Sequence, residues 1–312
     1  MPSLPRRLVA LTTYPPIGHV PREVSRPFWS VMIPTFNPEP GHLAQALASV
    51  LAQDPGPAEM EIAVIDDHSR KADSRAGLST HLQGRVSWLR QPRHVGIAGN
   101  WNACIRRARG QWVHILHQDD LVRPGFYASL RNGIEAAPAE VGAAFCRDVV
   151  IGTDGRQQGS QVLVRDTPGP VDDWVEHVFV QLHLRAPAIV VRRTVYETIG
   201  GFSPEFRYAL DWDMWKRIAS RYRLWYEPAE LACYRRHSGS ASFGFMRSGS
   251  NIAEIRRSIE LSEATLDPAI ATEVTRRTRA TYATYATRSA WRSVKERRFR
   301  SGLAQLREAA KL

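Results

Sequence analysis

Three short polar clusters in this chain have residue types suited to binding an anionic ligand through a cation. Asp119-Asp120 directly follows an apolar run, WVHIL (112–116). Adjacent carboxylates repel each other, so a nearby positive charge relieves them. Mg2+ and Mn2+ are hard ions that take oxygen ligands, commonly one or two carboxylates plus substrate phosphates. The pair can instead cap a helix starting near Pro124. A second cluster, Asp66-Asp67, ends the run EIAVI (61–65), and a third, Thr35 and Asn37, follows SVMIP (30–34). Capping accounts for any one cluster, for example Asp67 or Ser69 at a helix start. Three clusters after successive apolar runs point beyond capping.

The elements that must position these residues alternate. SVMIP, EIAVI, VSWLR (86–90) and WVHIL have buried-strand patterns. HLAQALASVLAQ (42–53) puts Leu43, Leu47, Val50 and Leu51 on one helical face. A helical stretch to about residue 83 and a helix over 98–109 fill the other gaps. Strands alternating with helices of this length predict right-handed βαβ units and an α/β domain with a mostly parallel sheet flanked by helices. In such sheets ligands bind beyond the carboxyl ends of the strands, where the three clusters lie. After residue 140 the pattern predicts strands at VGAAFCRDVVIG and QVLVR (161–165) around a Thr153-Asp154-Gly155 turn. It then predicts a helix over VDDWVEHVFVQLHL (171–184), a strand in APAIVVRR, a Gly200-Gly201-Phe202 loop and a helix over DWDMWKRIASRY (211–222). Two more strands follow, RLWYE and LACYRR. Beyond about 250 the chain is polar, basic and helical.

The 312 residues carry a net charge of +11, with 43% hydrophobic and 23% charged residues. Such a chain builds a globular core and attracts anionic partners, whether nucleic acid, phosphate-bearing substrates or an anionic membrane surface. No run approaches the roughly 18 apolar residues of a membrane span, and the apolar stretch near the N-terminus is too short for a secretory signal. A cytoplasmic protein is therefore expected. Cys104, Cys146 and Cys233 lie far apart with no CxxC pair, which argues for buried thiols over disulfides or zinc. Residues 1–27, rich in proline and without periodicity, are expected to form a flexible leader.

IPTFN (33–37), VIDDHS (64–69), HVGIAGNWNACIRRARGQWVHILHQDD (94–120), GGF (200–202), LDWDMW (210–215) and YRRH (234–237) occur in that order. The set resembles family 2 of the inverting glycosyltransferases, with the GT-A fold, over roughly residues 29–240; bacterial relatives of this kind often build surface polysaccharides. The resemblance implies a GT-A domain over 28–245, a Rossmann-like α/β sandwich, with a basic helical extension over 246–312. It places Pro34, Thr35, Asn37 and Asp67 around the donor nucleoside and Asn102 near the donor. Asp66 is left a structural part. The family's Asp-x-Asp metal motif matches His117-Gln118-Asp119, followed by Asp120. The first aspartate is thus replaced by histidine, while Asp119 keeps the position of the Mg2+ or Mn2+ ligand. His117, Gln118 and Asp120 then border the donor. The family base comes from a Glu-Asp pair; here it is Leu210-Asp211, which leaves Asp211 to take the acceptor's proton. His237 is implied at the metal and Arg236 at the diphosphate. Each has a plainer use too: Asp211 as a helix cap, His237 as a structural residue.

The resemblance implies a nucleotide-diphosphate sugar as donor and a saccharide or lipid-linked acceptor. Trp174, Trp212 and Trp215 are available for sugar stacking or for core packing. The basic 250–312 stretch, with Trp, Tyr and Phe among its arginines, suits an anionic bilayer, a self-association face such as a homodimer, or plain solvation. Other readings are a catalytically degraded nucleotide-sugar binder, a nucleotidyltransferase and a nucleic-acid module. PTFNPEPG has no basic residue for a nucleotidyltransferase loop, and no nucleic-acid-binding signature is present, so no nucleic acid partner is expected.

Overall fold

A computed structural model of the chain describes residues 14–70, 84–171, 178–181, 184–237 and 239–312. The helical stretch expected up to residue 83, most of the helix expected over 171–184 and Trp174 lie outside these residues.

The α/β fold is as expected. Strand β1 (Trp29–Thr35) is buried along its whole length, as its unbroken apolar run requires of a strand covered on both faces. It pairs in parallel with β2 (Met60–Asp66) on one side and with β4 (Trp112–Ile115) on the other. β3 (Ser87–Arg90) extends the parallel sheet beyond β2. The chain therefore winds outward from β1 through helix α1 (Pro40–Leu51) to β2 and β3. It then returns through α2 (Gly96–Arg107) to β4 on the opposite flank. The reversal opens a crevice at the carboxyl ends of β1 and β4.

β5 (Leu121–Val122) and α3 (Phe126–Ala136) lead into the second half of the sheet. It contains β6 (Val141–Ile151), β7 (Gln157–Ser160), β8 (Gly169–Val171), β9 (Ile189–Arg192) and β10 (Arg223–Arg235). β9 runs antiparallel to both β4 and β6, and β6 and β10 form a further parallel pair. The sheet order is β3-β2-β1-β4-β9-β6-β10-β5, with β7 on β6 and β8 on β10. Two local expectations differ. The strand placed at QVLVR is instead β7, four residues earlier, where it pairs back across the turn at Gly155. RLWYE and LACYRR form one strand, β10, whose register shifts on either side of Glu230. Pro228 has no N–H to give the ladder, so a bulged strand replaces two separate ones.

Helices α4 (Arg193–Ile199) and α5 (Leu210–Ala219) flank the GGF loop. Gly200 has φ 80, a left-handed angle that favours glycine, and a Cβ on Gly201 would collide with the Asn102 side-chain oxygen. The expected leader is packed over its described part. Ile17 is buried, the Arg217 guanidinium lies 3.7 Å from the Tyr14 ring centre, and Pro15 O accepts from Gly201 N at 2.8 Å. Proline keeps this segment out of helix and ladder, so its carbonyls are satisfied by neighbouring side chains and loops, as where Arg193 donates to Gly18 O.

The C-terminal residues form α6 (Ala241–Ser248), α7 (Ser250–Glu263), α8 (Pro268–Lys295) and α9 (Phe299–Ala309). Ile252, Ile255, Ile259, Tyr282 and Ala286 join the same hydrophobic core as β1 and α5. The core therefore continues across residue 245. No described helix is long and apolar enough to cross a membrane.

Candidate active site

The carboxyl ends of β1 and β2 are tied to each other. Asp67 N donates to Thr35 O at 2.8 Å, Asn37 N to Ser69 Oγ at 2.8 Å, and Arg70 N to Asn37 Oδ1 at 2.9 Å. Asn37 holds φ 46, an angle that asparagine tolerates better than most residues. Pro34 and Thr35 are buried in β1, and Thr35 approaches Asp66. Asp66 accepts from Ser69 and pairs with Arg90 at 3.4 Å, the structural part expected of it.

Two expected donor contacts are engaged elsewhere. The Asp67 carboxylate is buried and accepts from Val95 N at 2.7 Å and Gly96 N at 2.9 Å, with His94 at 2.8 Å. It satisfies the open N–H groups where α2 begins, and so fixes the 93–96 loop. Asn102 uses its whole amide on one backbone residue: its Nδ2 donates to Phe202 O at 2.9 Å and its Oδ1 accepts from Phe202 N at 2.7 Å. That two-way bond clamps the GGF loop to α2.

β4 ends where β1 does, and the turn after it carries the charged cluster. His117, Asp119 and Asp120 place one ligand atom each within 4.8 Å of one another. Asp120 is fully buried: its Oδ1 accepts from Arg235 N at 2.8 Å and its Oδ2 lies 3.0 Å from His117 Nδ1. It therefore sits behind the turn, inside the cluster. Asp119 Oδ2 meets His237 Nε2 at 2.7 Å. Buried Arg235 holds the turn from beneath, through Asp119 O, Gly152 O and Gln45 Oε1. Arg236, the next residue, is exposed at the strand end. Gln118 bridges to the first loop, accepting from Phe36 N at 2.8 Å.

The electrostatics fit a cation site. Burial and the neighbouring Asp119 raise the Asp120 pKa, whereas Asp119 is held below the usual range, the His237 hydrogen bond and the His117 charge outweighing its burial. His117 is raised despite burial because Asp120, Asp119 and Asp211 all favour its cation, and the bond to Asp119 raises His237. Each histidine thus offsets one carboxylate, which a divalent ion can also do. His117 Nε2 is buried without a hydrogen-bond partner, and Asp120 Oδ2 is buried with His117 Nδ1 beside it. Carboxylate oxygens and an imidazole nitrogen gathered this closely match the donor set of Mg2+ or Mn2+.

Asp211 opens α5 and is partly buried. Burial pushes its pKa up to about 6, against the Trp212 N–H and the His117 charge. Asp213, two residues on, points away and is bound by Arg217 at 3.0 Å. Four further residues border the site. Phe36 and His94 are rings 4.3 Å apart on the two nucleotide-side loops. Arg185 pairs with buried Asp148 and lies within electrostatic reach of Asp211. Trp101 packs 4.9 Å from the His117 ring. An aromatic directly after a strand-end Thr was the available signal for Phe36; Arg185 had none, because its neighbour Asp148 comes from a different strand. Trp212 and Trp215 are buried in the core and do not reach a sugar.

The family model for glycosyl transferase family 2 matches residues 30–199, which hold β1 to β4 and the metal-capable cluster. The chain belongs to glycosyl transferase family 2. Among family-wide relatives, an uncharacterised Mycobacterium tuberculosis protein is 29% identical over 244 residues, 75% of each chain. The succinoglycan biosynthesis protein ExoO of Rhizobium meliloti is 38% identical over 36% of this chain and 31% of its own. An N-acetylglucosaminyltransferase of Mesorhizobium japonicum is 30% identical over 43% of this chain and 31% of its own. The matches to these last two family relatives span about a third of their length. The fold is shared with Staphylococcus aureus TarS 1–349 in complex with UDP-GlcNAc, at TM-score 0.55, 15% identity, and 91% and 90% coverage. It is shared too with the Pyrobaculum calidifontis mannosyltransferase PcManGT in complex with GDP-Man and Mn2+, at TM-score 0.54, 19% identity, and 96% and 88% coverage.

Proposed function

We propose that this glycosyltransferase moves one sugar, with inversion, from a nucleoside diphosphate sugar to a hydroxyl of a saccharide or lipid-linked acceptor in polysaccharide or glycoconjugate synthesis. The single observation that carries the reading is the position of His117. Asp119, Asp120 and Asp211 all act on its charge, which supports reading the metal-capable cluster and the partly buried carboxyl of α5 as one site. A solved structure of the fold with GDP-Man and Mn2+ and a relative named for succinoglycan biosynthesis support it.

In this reading Phe36 and His94 offer ring faces to the base, and Thr35 and Asn37 border the nucleoside. Asp119, with His117 and Asp120, would hold Mg2+ or Mn2+, which when bound neutralises charge building on the leaving diphosphate. His237 keeps Asp119 oriented, and Arg236 adds a cation at the exposed rim. Asp211 takes the acceptor's proton as its oxygen attacks the anomeric carbon; a pKa near 6 leaves it mostly ionised at neutral pH and still basic enough to act.

The test is a thermal shift of the wild type and of Asp119→Ala with UDP, GDP, dTDP and CDP, each in Mn2+ and in EDTA. A ligand at 100 times its Kd stabilises by about 2.7 kcal/mol, several degrees in a chain of this size. One nucleotide should raise Tm in Mn2+ only, and Asp119→Ala should abolish that rise. A shift that persists in EDTA and in the variant would overturn the metal assignment; none with any nucleotide would overturn the donor assignment.

A further inference from the structure

The hairpin formed by the end of α8 and by α9 carries an apolar, strongly cationic surface that the transfer reaction does not use. Trp291 and Phe299 are each 63% exposed, and Leu303 and Leu306 about half exposed. Phe299, Leu303 and Leu306 are spaced i, i+4, i+7, one stripe of α9. The flank of α9 beside this stripe is spent on the core, with Gly302 and Gln305 buried. Residues 288–312 hold eight Lys and Arg, all exposed, against only Glu296 and Glu308. Both acids already have partners: Glu296 pairs with Arg298 at 3.1 Å, and Glu308 with Lys311 and Arg256. The Lys295 ammonium lies 5.6 Å from the Trp291 ring centre, so charge and aromatic face share one patch.

We propose that this hairpin docks the protein on an anionic lipid bilayer, Trp291 and the α9 stripe entering the headgroup region and the surrounding cations meeting lipid charge. Amphipathic helices bind at such interfaces by apolar burial plus attraction to anionic headgroups, and tryptophan favours the headgroup level. A second copy of the chain is the poorer occupant. A two-fold interface apposes the same patch on both subunits, and here it would set unpaired arginines against each other. A nucleic acid would satisfy the cations but gives the aliphatic Leu303 and Leu306 no use.

The hairpin is bonded to the two helices that follow the active site in the chain. Gln305 Nε2 donates to Met246 O in α6 at 2.6 Å and to Asn251 Oδ1 in α7 at 2.9 Å. The Arg298 guanidinium lies 5.3 Å from the Phe243 ring, and α6 begins four residues after His237. A docked hairpin would thus hold the transfer site at a fixed place near the lipid surface, which suits a lipid-linked acceptor. Docking itself needs no donor, metal or catalysis, so its test is independent of the transfer reading.

The experiment is co-sedimentation of the full chain with vesicles of phosphatidylcholine alone or mixed with phosphatidylglycerol, at low and high salt. The comparison variants are Trp291→Ser/Phe299→Ser and Arg288→Glu/Arg292→Glu/Arg300→Glu, all at exposed positions, with circular dichroism to check folding. The wild type should bind the anionic vesicles, lose most binding at high salt as charges are screened, and ignore the neutral ones. Each variant should bind at least ten-fold more weakly. Bromine-labelled lipid should quench wild-type fluorescence, and Trp291→Phe should lose that quenching. Equal binding by folded variants, or no binding by the wild type, overturns the proposal. So does a wild-type dimer made monomeric by Trp291→Ser/Phe299→Ser without vesicle binding, or tight salt-sensitive binding of an oligonucleotide with none to vesicles.

Discussion

Asp211 illustrates how position at the residue scale decides chemistry. Its neighbour Asp213 is of the same type on the same turn, yet Arg217 neutralises it, while Asp211 meets burial and a histidine. Asp211→Asn should lower kcat by about 10^2- to 10^4-fold, the usual weight of one acid–base group, and leave the donor KM within a few-fold. The raised pKa sets the pH profile. Below about 6 the carboxyl is protonated and cannot accept the acceptor's proton, so kcat should fall as pH falls through about 6. An activity of Asp211→Asn close to wild type would instead favour a chain that binds donors and works by another base, or by none; the leucine at 210, buried where relatives of this type carry glutamate, keeps that outcome informative. Asp119, Asp211, His117 and His237, which the ordered motifs single out, are contact or electrostatic neighbours in the fold. The settings of Asp67 and Asn102 were not legible in the sequence, because their partners are backbone groups of the 93–96 and 200–202 loops, which no side-chain pattern announces.

The strand ends and α1, α2 and α5 were legible at the element scale because apolar runs and helical periodicity are local signals. Three features were not. The register of β10 around Pro228, the packing of residues 14–27 on α4 and α5, and the α5–α7 contact all depend on distant partners. That last contact includes a buried lysine. Lys216 Nζ donates to Ser258 O at 2.8 Å, reaches Ser258 Oγ at 2.7 Å and Ser262 Oγ at 3.0 Å, and lies 3.9 Å from the Trp212 ring centre. Burial pushes its pKa from 10.5 down to about 7. Between those values the unfolded chain binds the proton and the folded chain does not, so this group makes stability rise with pH from about 7 to about 10.5. Its full penalty, on the order of 4 kcal/mol, applies below about 7. Lys216→Met removes that slope. The wild type should therefore gain Tm relative to the variant between pH 7 and pH 9.5, measured by differential scanning calorimetry; parallel pH profiles would show that Lys216 titrates normally.

For the whole molecule, the decisive feature is that the site depends on helices far from it in sequence. Glu254 in α7 accepts from Arg207 N at 2.8 Å, Tyr208 N at 2.7 Å and Ala209 N at 3.1 Å, the residues that deliver Asp211 to the crevice. One turn on, Trp212 packs 4.9 Å from Tyr282 of α8, and Trp212 Nε1 donates to Val178 O. A chain ending at residue 249 would uncover Trp212, leave Lys216 without its serine partners and strand three loop N–H groups. Removing large core side chains costs about 2–5 kcal/mol each, and each unsatisfied buried donor about 1–3 kcal/mol. Together these losses are comparable with the roughly 5–15 kcal/mol by which a domain is stable. The truncated chain should accordingly lose cooperative urea unfolding and all transfer activity, even though residues 30–199, the family's matched span, remain complete. A sharp unfolding transition in that fragment, with donor binding retained, would mean that the β1–β10 sheet folds without α7 and α8 and that the contacts to α5 only trim its position.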